Sequence, residues 1–344
     1  MSSSGCDIAA GMSHLDDDDR SFPMTCDRFS SRGESATFED LWRQHRGRLL
    51  DIGYRMLGSV ADAEDVAGEA YARLAAADLD HIDDPVGWLV SVTARLCLDR
   101  LRSSESRRRA YVGPWLPEPV LAATAGDLDP ADRITLDDSV RMAFLVVLEQ
   151  LSPAERTSFV LHDLFAMSFA DVGNIVGRSP AACRQLASRA RRRIRSDPET
   201  PRGEAARSEI EAVAHRFAIA CAGGELEPLL ELLDPAVVGD FDSGGTITGA
   251  PLRAIDGAET VARTLVRSFR SQEIQFDVTD VNGEPGVVVR HGLHIVAVIA
   301  LGVRHGQIDL IHAIGNPDKL RHLQSSEREL GHEGRDGGRD EGRD

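Results

Sequence analysis

The chain has 344 residues, 42% of them apolar and 28% charged, with a formal net charge of −17. That length suits two or three domains with real cores. The acidic balance excludes a uniformly basic, histone-like protein but leaves room for a local basic patch that binds nucleic acid. No apolar run reaches the roughly 18 residues of a membrane span, so no membrane contact is expected. Residues 1–20 carry Asp16 to Asp19 where a secretion signal would place a cationic start and an apolar block. The five cysteines (Cys6, Cys26, Cys97, Cys183, Cys221) are scattered and never spaced as CxxC. A reduced, cytoplasmic chain without a metal site or cofactor is the expectation.

Residues 1–36 are rich in Ser, Asp and Gly without periodicity, and 323–344 end in Gly-Arg-Asp repeats; both are expected to be disordered tails. Between them, residues 37–105 read as one helical domain. Phe38, Leu41, Trp42, Leu49, Ile52 and Met56 form one apolar stripe. Ala63, Val66, Ala67, Ala70, Tyr71 and Leu74 form a second, and Trp88, Leu89, Val92, Leu96 and Leu101 a third. Residues 106–136 are a linker, broken by Gly113, Pro114, Pro117, Pro119, Gly126 and Pro130. It is acidic, with six carboxylates against one Arg between Pro114 and Asp138.

Residues 137–195 form a second helical block with clear punctuation. Ser152-Pro153-Ala154-Glu155 has the form of a capping box, Ser168-Phe169-Ala170-Asp171 starts a short helix, Gly177 ends it, and Ser179-Pro180 opens the next. Short helix, Gly turn and Arg-ended helix make a helix-turn-helix layout. A second linker, 196–205, precedes a change of composition. Ile210, Val213, Ala214, Phe217 and Cys221 mark a helix; 225–233 and 257–270 are also helical. Val237 to Phe241 and the runs 273–281, 287–290, 294–303 and 307–314 read as strands, with turns at Asn282-Gly283 and His305-Gly306. Residues 206–322 are therefore expected to be an α+β domain with an antiparallel sheet. The fold class is multidomain: two all-α domains, the second a helix-turn-helix, then α+β.

Residues 178–195 hold seven Arg and no acid. On a helix starting at Pro180, Cys183, Leu186, Ala187, Ala190 and Ile194 lie inward, while Arg184, Gln185, Ser188, Arg189, Arg192 and Arg195 face out. Such a face suits the DNA major groove, where Arg forks match guanine and phosphate and Gln matches adenine. With Arg178 and Ser179 at the turn it makes a DNA-binding candidate; the alternative is a solvated cationic helix end favoured by the helix dipole. A second basic cluster, Arg95, Arg100, Arg102 and Arg107 to Arg109, offers phosphate contacts or is a frayed helix end. Asp62, Glu64, Asp65 and Glu69 lie off the apolar stripe of their helix. They either complement its dipole or form a docking surface for a basic partner.

Asp62-Ala63-Glu64-Asp65-Val66, Trp88-Leu89-Val90, Asp99-Arg100-Leu101-Arg102 and the helix-turn-helix, in that order, resemble the bacterial sigma-70 superfamily, as paired sigma domains two and four over 38–195. The absence of further domains between them resembles the extracytoplasmic-function group. Tyr111-Val112-Gly113-Pro114-Trp115-Leu116-Pro117-Glu118-Pro119 and Asn316-Pro317-Asp318-Lys319-Leu320 look like the subgroup with a fused SnoaL-like domain, a cone of helix and curved sheet. The resemblance implies a promoter-specific initiation factor with two partners, RNA polymerase core and promoter DNA. Asp62, Glu64, Asp65 and Glu69 would dock on the beta-prime clamp helices, domain four would meet the beta flap, and the 88–109 helix would meet the proximal promoter element. The 179–195 helix would read the distal element, and the acidic linker would thread the RNA path. Leu96 stands where many members carry Asn, so base reading is not carried to that position.

Residues Trp115, Leu116, Pro117, Glu118 and Pro119 are expected to meet Asn316, Pro317, Asp318, Lys319 and Leu320 at a regulatory interface between linker and C-terminal domain, where tethering raises effective concentration. The free chain is expected to be monomeric and to bind promoter duplex weakly, its two cationic faces held apart by the acidic tether. The alternative is a SnoaL-type enzyme or ligand-binding module with a DNA-binding arm. Its pocket candidates are Asp240, Asp242, Arg253, His291, His294 and His312, with Asp242-Ser243-Gly244-Gly245 a partial match to that family's Gly-rich stretch. No catalytic residue is assigned.

Overall fold

The computed structural model describes residues 38–77, 82–121, 134–197, 205–270 and 273–324. The expected tail at 1–36, most of the expected C-terminal tail, residues 122–133 of the acidic linker and most of the 196–205 linker lie outside the described residues.

Helices α1 (Phe38–Leu57), α2 (Val60–Ala75) and α3 (Pro85–Arg109) pack on one another. The stripe read from the sequence is buried on α2, at Ala63, Val66, Ala67, Ala70 and Leu74. The Ser59 hydroxyl starts that helix by accepting from the Asp62 amide at 3.1 Å. Helix α3 runs through Arg109, past the expected domain boundary at 105.

The second helical module comprises a 3-10 turn (Asp138–Val140), α4 (Met142–Glu149), α5 (Pro153–Phe159), a π-turn (Val160–Leu164), α6 (Phe169–Val176) and α7 (Pro180–Ser196). Ser152 and Glu155 form a reciprocal capping box at the start of α5. Gly177 closes α6 at φ 74°, a left-handed turn that sends the chain into α7. The apolar stripe of α7 is buried at Cys183, Leu186, Ala187, Ala190 and Ile194.

The two helical modules are not held apart. Leu49, Ile52 and Leu89 of the first share one continuous core with Phe144, Phe159 and Ile194 of the second, and α3 packs on α5 and α6. The physical reason lies in the π-turn and the residues just beyond it. Leu164, Phe165, Met167 and Phe169 come onto one side of the second module and bury part of their surface in that joint core.

Helices α8 (Arg207–Gly223), α9 (Leu226–Leu232) and α10 (Ala258–Ser268) accompany strands β1 (Leu233–Asp242), β2 (Ile255–Asp256), β3 (Ile274–Val281), β4 (Glu284–His291), β5 (His294–Arg304) and β6 (Gln307–Ile314). The sheet order is β2-β1-β6-β5-β4-β3. The sheet is mixed rather than antiparallel throughout, because β1 and β6 pair in parallel. They are joined through β2, helix α10 and the hairpin-linked strands β3 to β5, the long connection that a parallel pair needs. One sheet face, with Val287, Val289, Ile299 and Ile311, packs on the helices. The other, with Val288, Val298 and Ile314, packs on Leu116 and Leu121 of the linker and on Met142 of α4. Two-sided burial accounts for the unbroken run Val287-Val288-Val289. Residues 317–324 are helical. Leu323, placed in the tail by the sequence, is buried beside Leu320, and the Gln324 side-chain amide bridges the Ile295 backbone, donating to its carbonyl at 2.6 Å.

Candidate functional site

On α7 the outward face is open: Arg178, Ser179, Arg184, Gln185, Ser188, Arg189 and Arg192 are all exposed. Ser179 also caps the helix, its hydroxyl accepting from the Ala182 amide at 3.2 Å. Arg184 lies over the Phe169 ring, 5.1 Å from its centre, which aims the side chain across the turn from α6. Arg189 reaches Glu155 at 3.4 Å yet keeps 53% of its side chain exposed, so the pair is a weak, exchangeable one. Arg191 is different: it is tied to Asp163 at 2.7 Å with only 20% exposure and holds the π-turn to α7. The result is a solvent-exposed cationic ridge on a helix-turn-helix scaffold.

On α3, Arg95 and Arg102 are exposed, Arg102 lying 3.7 Å from Asp99. Arg100 instead turns across to α2, with Nη1 at 2.7 Å from Asp62 and 3.5 Å from Asp65. A cation expected on DNA is thus paired with two acids expected on a protein partner. Both acids are at least half exposed, so the contact is readily exchanged for a partner's charge. Glu64 and Glu69 are exposed, Glu69 pairing along its helix with Arg73. Leu96 is buried in the joint core.

A strap, Tyr111–Leu121, runs between the first helical module and the sheet. Its sheet side centres on Asp242. That carboxylate accepts from the Tyr111 hydroxyl at 2.5 Å, the Leu116 amide at 2.9 Å and the Lys319 ammonium at 2.6 Å. Burial pushes the Tyr111 phenol far above its usual range, aided by its hydrogen bond to Asp242 and that group's charge, so it stays a donor. Lys319 also donates to the Leu116 carbonyl and sits 3.9 Å above the centre of the Trp115 ring. Asn316 donates to the Tyr111 hydroxyl at 2.7 Å, and Pro119 pairs through its carbonyl with His322 at 2.9 Å. Leu320 joins Leu116 in the apolar cluster. Pro317 and Asp318 point to solvent, and Asp318 pairs with Arg321 rather than with the strap.

The other side of the strap is Glu118. Its carboxylate accepts from the Val60 amide at 2.7 Å and the Ser59 hydroxyl at 2.9 Å, capping α2 in trans. Its amide donates to the Gly58 carbonyl at 2.8 Å. Gly58, at φ 67°, has no room for a side chain: a Cβ would lie 2.9 Å from Glu149 Oε1, 3.1 Å from the Trp115 ring and 3.5 Å from Pro117.

Two buried arginines join the helical modules, and the sequence reading missed both. Arg55 of α1 donates to Ser139 Oγ at 2.6 Å, the Thr135 carbonyl at 3.1 Å and Asp137 at 3.0 Å. Arg156 of α5 donates to the Met56 carbonyl at 2.9 Å and to Glu149 at 2.6 Å. Neither is marked by an apolar face: Arg55 pairs with Asp51 one turn back at 3.0 Å, and Arg156 is buried together with Thr157 and Ser158.

The six pocket candidates are not gathered. His291 and His294 are exposed at the β4–β5 turn, and Arg253 is exposed in the loop before β2. Asp242 is engaged by Tyr111 and Leu116 of the strap and by Lys319 and the Gly244 amide. Only Asp240 and His312 face each other, at 3.8 Å on neighbouring strands.

Residues 41–108 match the family model for sigma-70 region 2, and residues 141–194 match that for sigma-70 region 4. Similar proteins include the probable ECF RNA polymerase sigma factor SigI of Mycobacterium tuberculosis, 38% identical over 289 residues, which span 83% of this chain and 95% of that protein. The ECF RNA polymerase sigma factor SigJ of the same organism is 38% identical over 310 residues, 86% of this chain and 96% of that protein. The crystal structure of the M. tuberculosis extracytoplasmic function sigma factor SigJ superposes with a TM-score of 0.63 at 35% identity, covering 81% of this chain and 97% of that one.

Proposed function

The chain belongs to the extracytoplasmic-function sigma factors of the sigma-70 superfamily, and from that membership we propose that it is an initiation factor held closed in cis by its own C-terminal domain. It directs RNA polymerase core to promoters and starts transcription there. We assign core and proximal promoter binding to residues 37–105, distal promoter reading to 137–195 and regulation to 206–322, acting in the cytoplasm. The exposed acids of α2 meet the polymerase, Arg95 and Arg102 meet phosphate, and the α7 ridge enters the major groove of the distal element. The third module, SnoaL-like in its resemblance, is read as a regulator rather than an enzyme, because its Asp242 carboxylate is already engaged by Tyr111 and Leu116 of the strap and by Lys319 of its own module.

The observation that carries this reading is the α7 ridge, with exposed arginines and a glutamine on a helix whose apolar side is fixed in a core. Run-off transcription with purified polymerase core tests it. Arg184→Ala and Arg189→Ala are each expected to lower promoter-specific transcripts roughly 5- to 150-fold, the equivalent of about 1–3 kcal/mol for a lost bidentate base contact, with little change in melting temperature. Absence of promoter-specific transcripts from core plus this chain, or full activity in both variants, overturns the assignment.

A further inference from the structure

Two of the β-hairpins in the sheet turn on the same chemistry. Asn282-Gly283 and His305-Gly306 both place two successive residues at positive φ, 53° and 81° in the first and 54° and 76° in the second, as type I′ turns require. Such tips normally lie in water, and His305 is exposed. Asn282 is 0% exposed. It is driven into the junction of the three modules, flanked by the ion pair of Arg141 with Glu284 at 3.2 Å.

Every polar atom of that side chain is used, and each on a different piece of the chain. Oδ1 accepts from the Val120 amide of the strap at 3.1 Å. Nδ2 donates to the Tyr54 hydroxyl of the first helical module at 2.8 Å and to the Val140 carbonyl of the second at 2.8 Å. The Asn282 amide returns a bond to the Val120 carbonyl at 2.8 Å. Tyr54 continues the network by donating to the Glu118 carbonyl at 2.6 Å. Burial pushes its phenol far above the ordinary range, so it remains protonated.

We infer that Asn282 is the keystone of the closed chain, one side chain whose release frees the strap and both helical modules together and so raises the fraction of protein able to engage polymerase. The inference rests on the cis-regulation reading and names the atom set through which it acts. A fully satisfied buried polar network is cooperative, and losing its centre strands several partners at once. If only the open fraction binds core, its increase tightens apparent affinity in proportion.

Asn282→Gly is the cleanest test, since glycine keeps the positive φ and removes only the side chain. In the full-length protein, hydrogen exchange of residues 116–121 and of the Tyr54 segment is expected to quicken about tenfold or more, with strands β4 to β6 unchanged. Affinity for polymerase core is expected to rise several-fold. Unchanged exchange overturns the inference, and so does faster exchange with unchanged core affinity. If the glycine variant also loosens β4 to β6, Tyr54→Phe decides, because it removes the hydroxyl that ties Asn282 to the Glu118 carbonyl without touching the hairpin: unaltered exchange at 116–121 then overturns the proposal. Failure of the wild-type chain to support promoter-specific transcription is a separate result, which sinks the sigma reading and leaves the exchange measurement standing.

Discussion

Replacing Lys319 by Met is expected to destabilise the closed chain by roughly 3–5 kcal/mol, the cost of leaving a buried charge without its partner. Lys319 and Asp242 are 8% and 0% exposed and 2.6 Å apart. With the ammonium gone, Asp242 keeps its bonds from Tyr111 and Leu116 but loses the only cation that contacts it among the described residues. The Leu116 carbonyl loses a donor as well. Lys319 is the single lysine of a chain that otherwise uses arginine. Its site explains the choice: a compact ammonium fits between a carboxylate, a carbonyl and the face of Trp115, where a planar guanidinium would not. Lys319→Met/Asp242→Asn removes both charges yet keeps an oxygen to accept from Tyr111 and Leu116, and is expected to recover part of the loss, since no buried charge is left unpaired. Urea unfolding of the wild-type chain and the two variants measures this. A double variant no more stable than the single one would contradict the account.

The second large effect is expected at Arg156. Its side chain is 1% exposed, with Glu149 at 11%. Burial lowers its pKa to about 9, still above neutrality, so it remains charged and must be paired. Arg156→Ala leaves Glu149 and the Met56 carbonyl without that donor at the point where both helical modules meet Gly58. A loss of roughly 3–5 kcal/mol in the free chain is the expected result, read as a lower urea midpoint. Arg156→Lys keeps charge but not the fork that serves two acceptors, and falls in between. An unchanged midpoint in the alanine variant would show that the modules do not depend on this contact.

Much of the fold is legible in the sequence, because it is set by local chemistry. The α2 and α7 stripes, the Ser152 capping box, the Gly177 turn and the two I′ hairpins each need only a few neighbouring residues to specify them. The exposed ridge on α7 comes from the same periodicity. What the sequence does not reveal is how the modules meet. Leu164, Phe165, Met167 and Phe169 carry no local mark of it, yet they pack against the core that both modules share. Asn282 reads as a turn residue because turn propensity explains it fully; its burial is a property of the module it enters. Arg100 reads as a phosphate ligand, but Asp62 and Asp65 lie on a neighbouring helix that no local pattern brings near it. The parallel pairing of β1 with β6 was missed for the same reason, since pairing between distant strands leaves no mark in either one.

The central claim is that a closed chain must open to initiate. Dyes at Arg73 on α2 and Ser196 at the end of α7, both exposed, report the separation of the helical modules by energy transfer. The account predicts a short distance in the free protein and a much longer one once polymerase core and promoter are added. An unchanged distance in a complex that is making transcripts would contradict it.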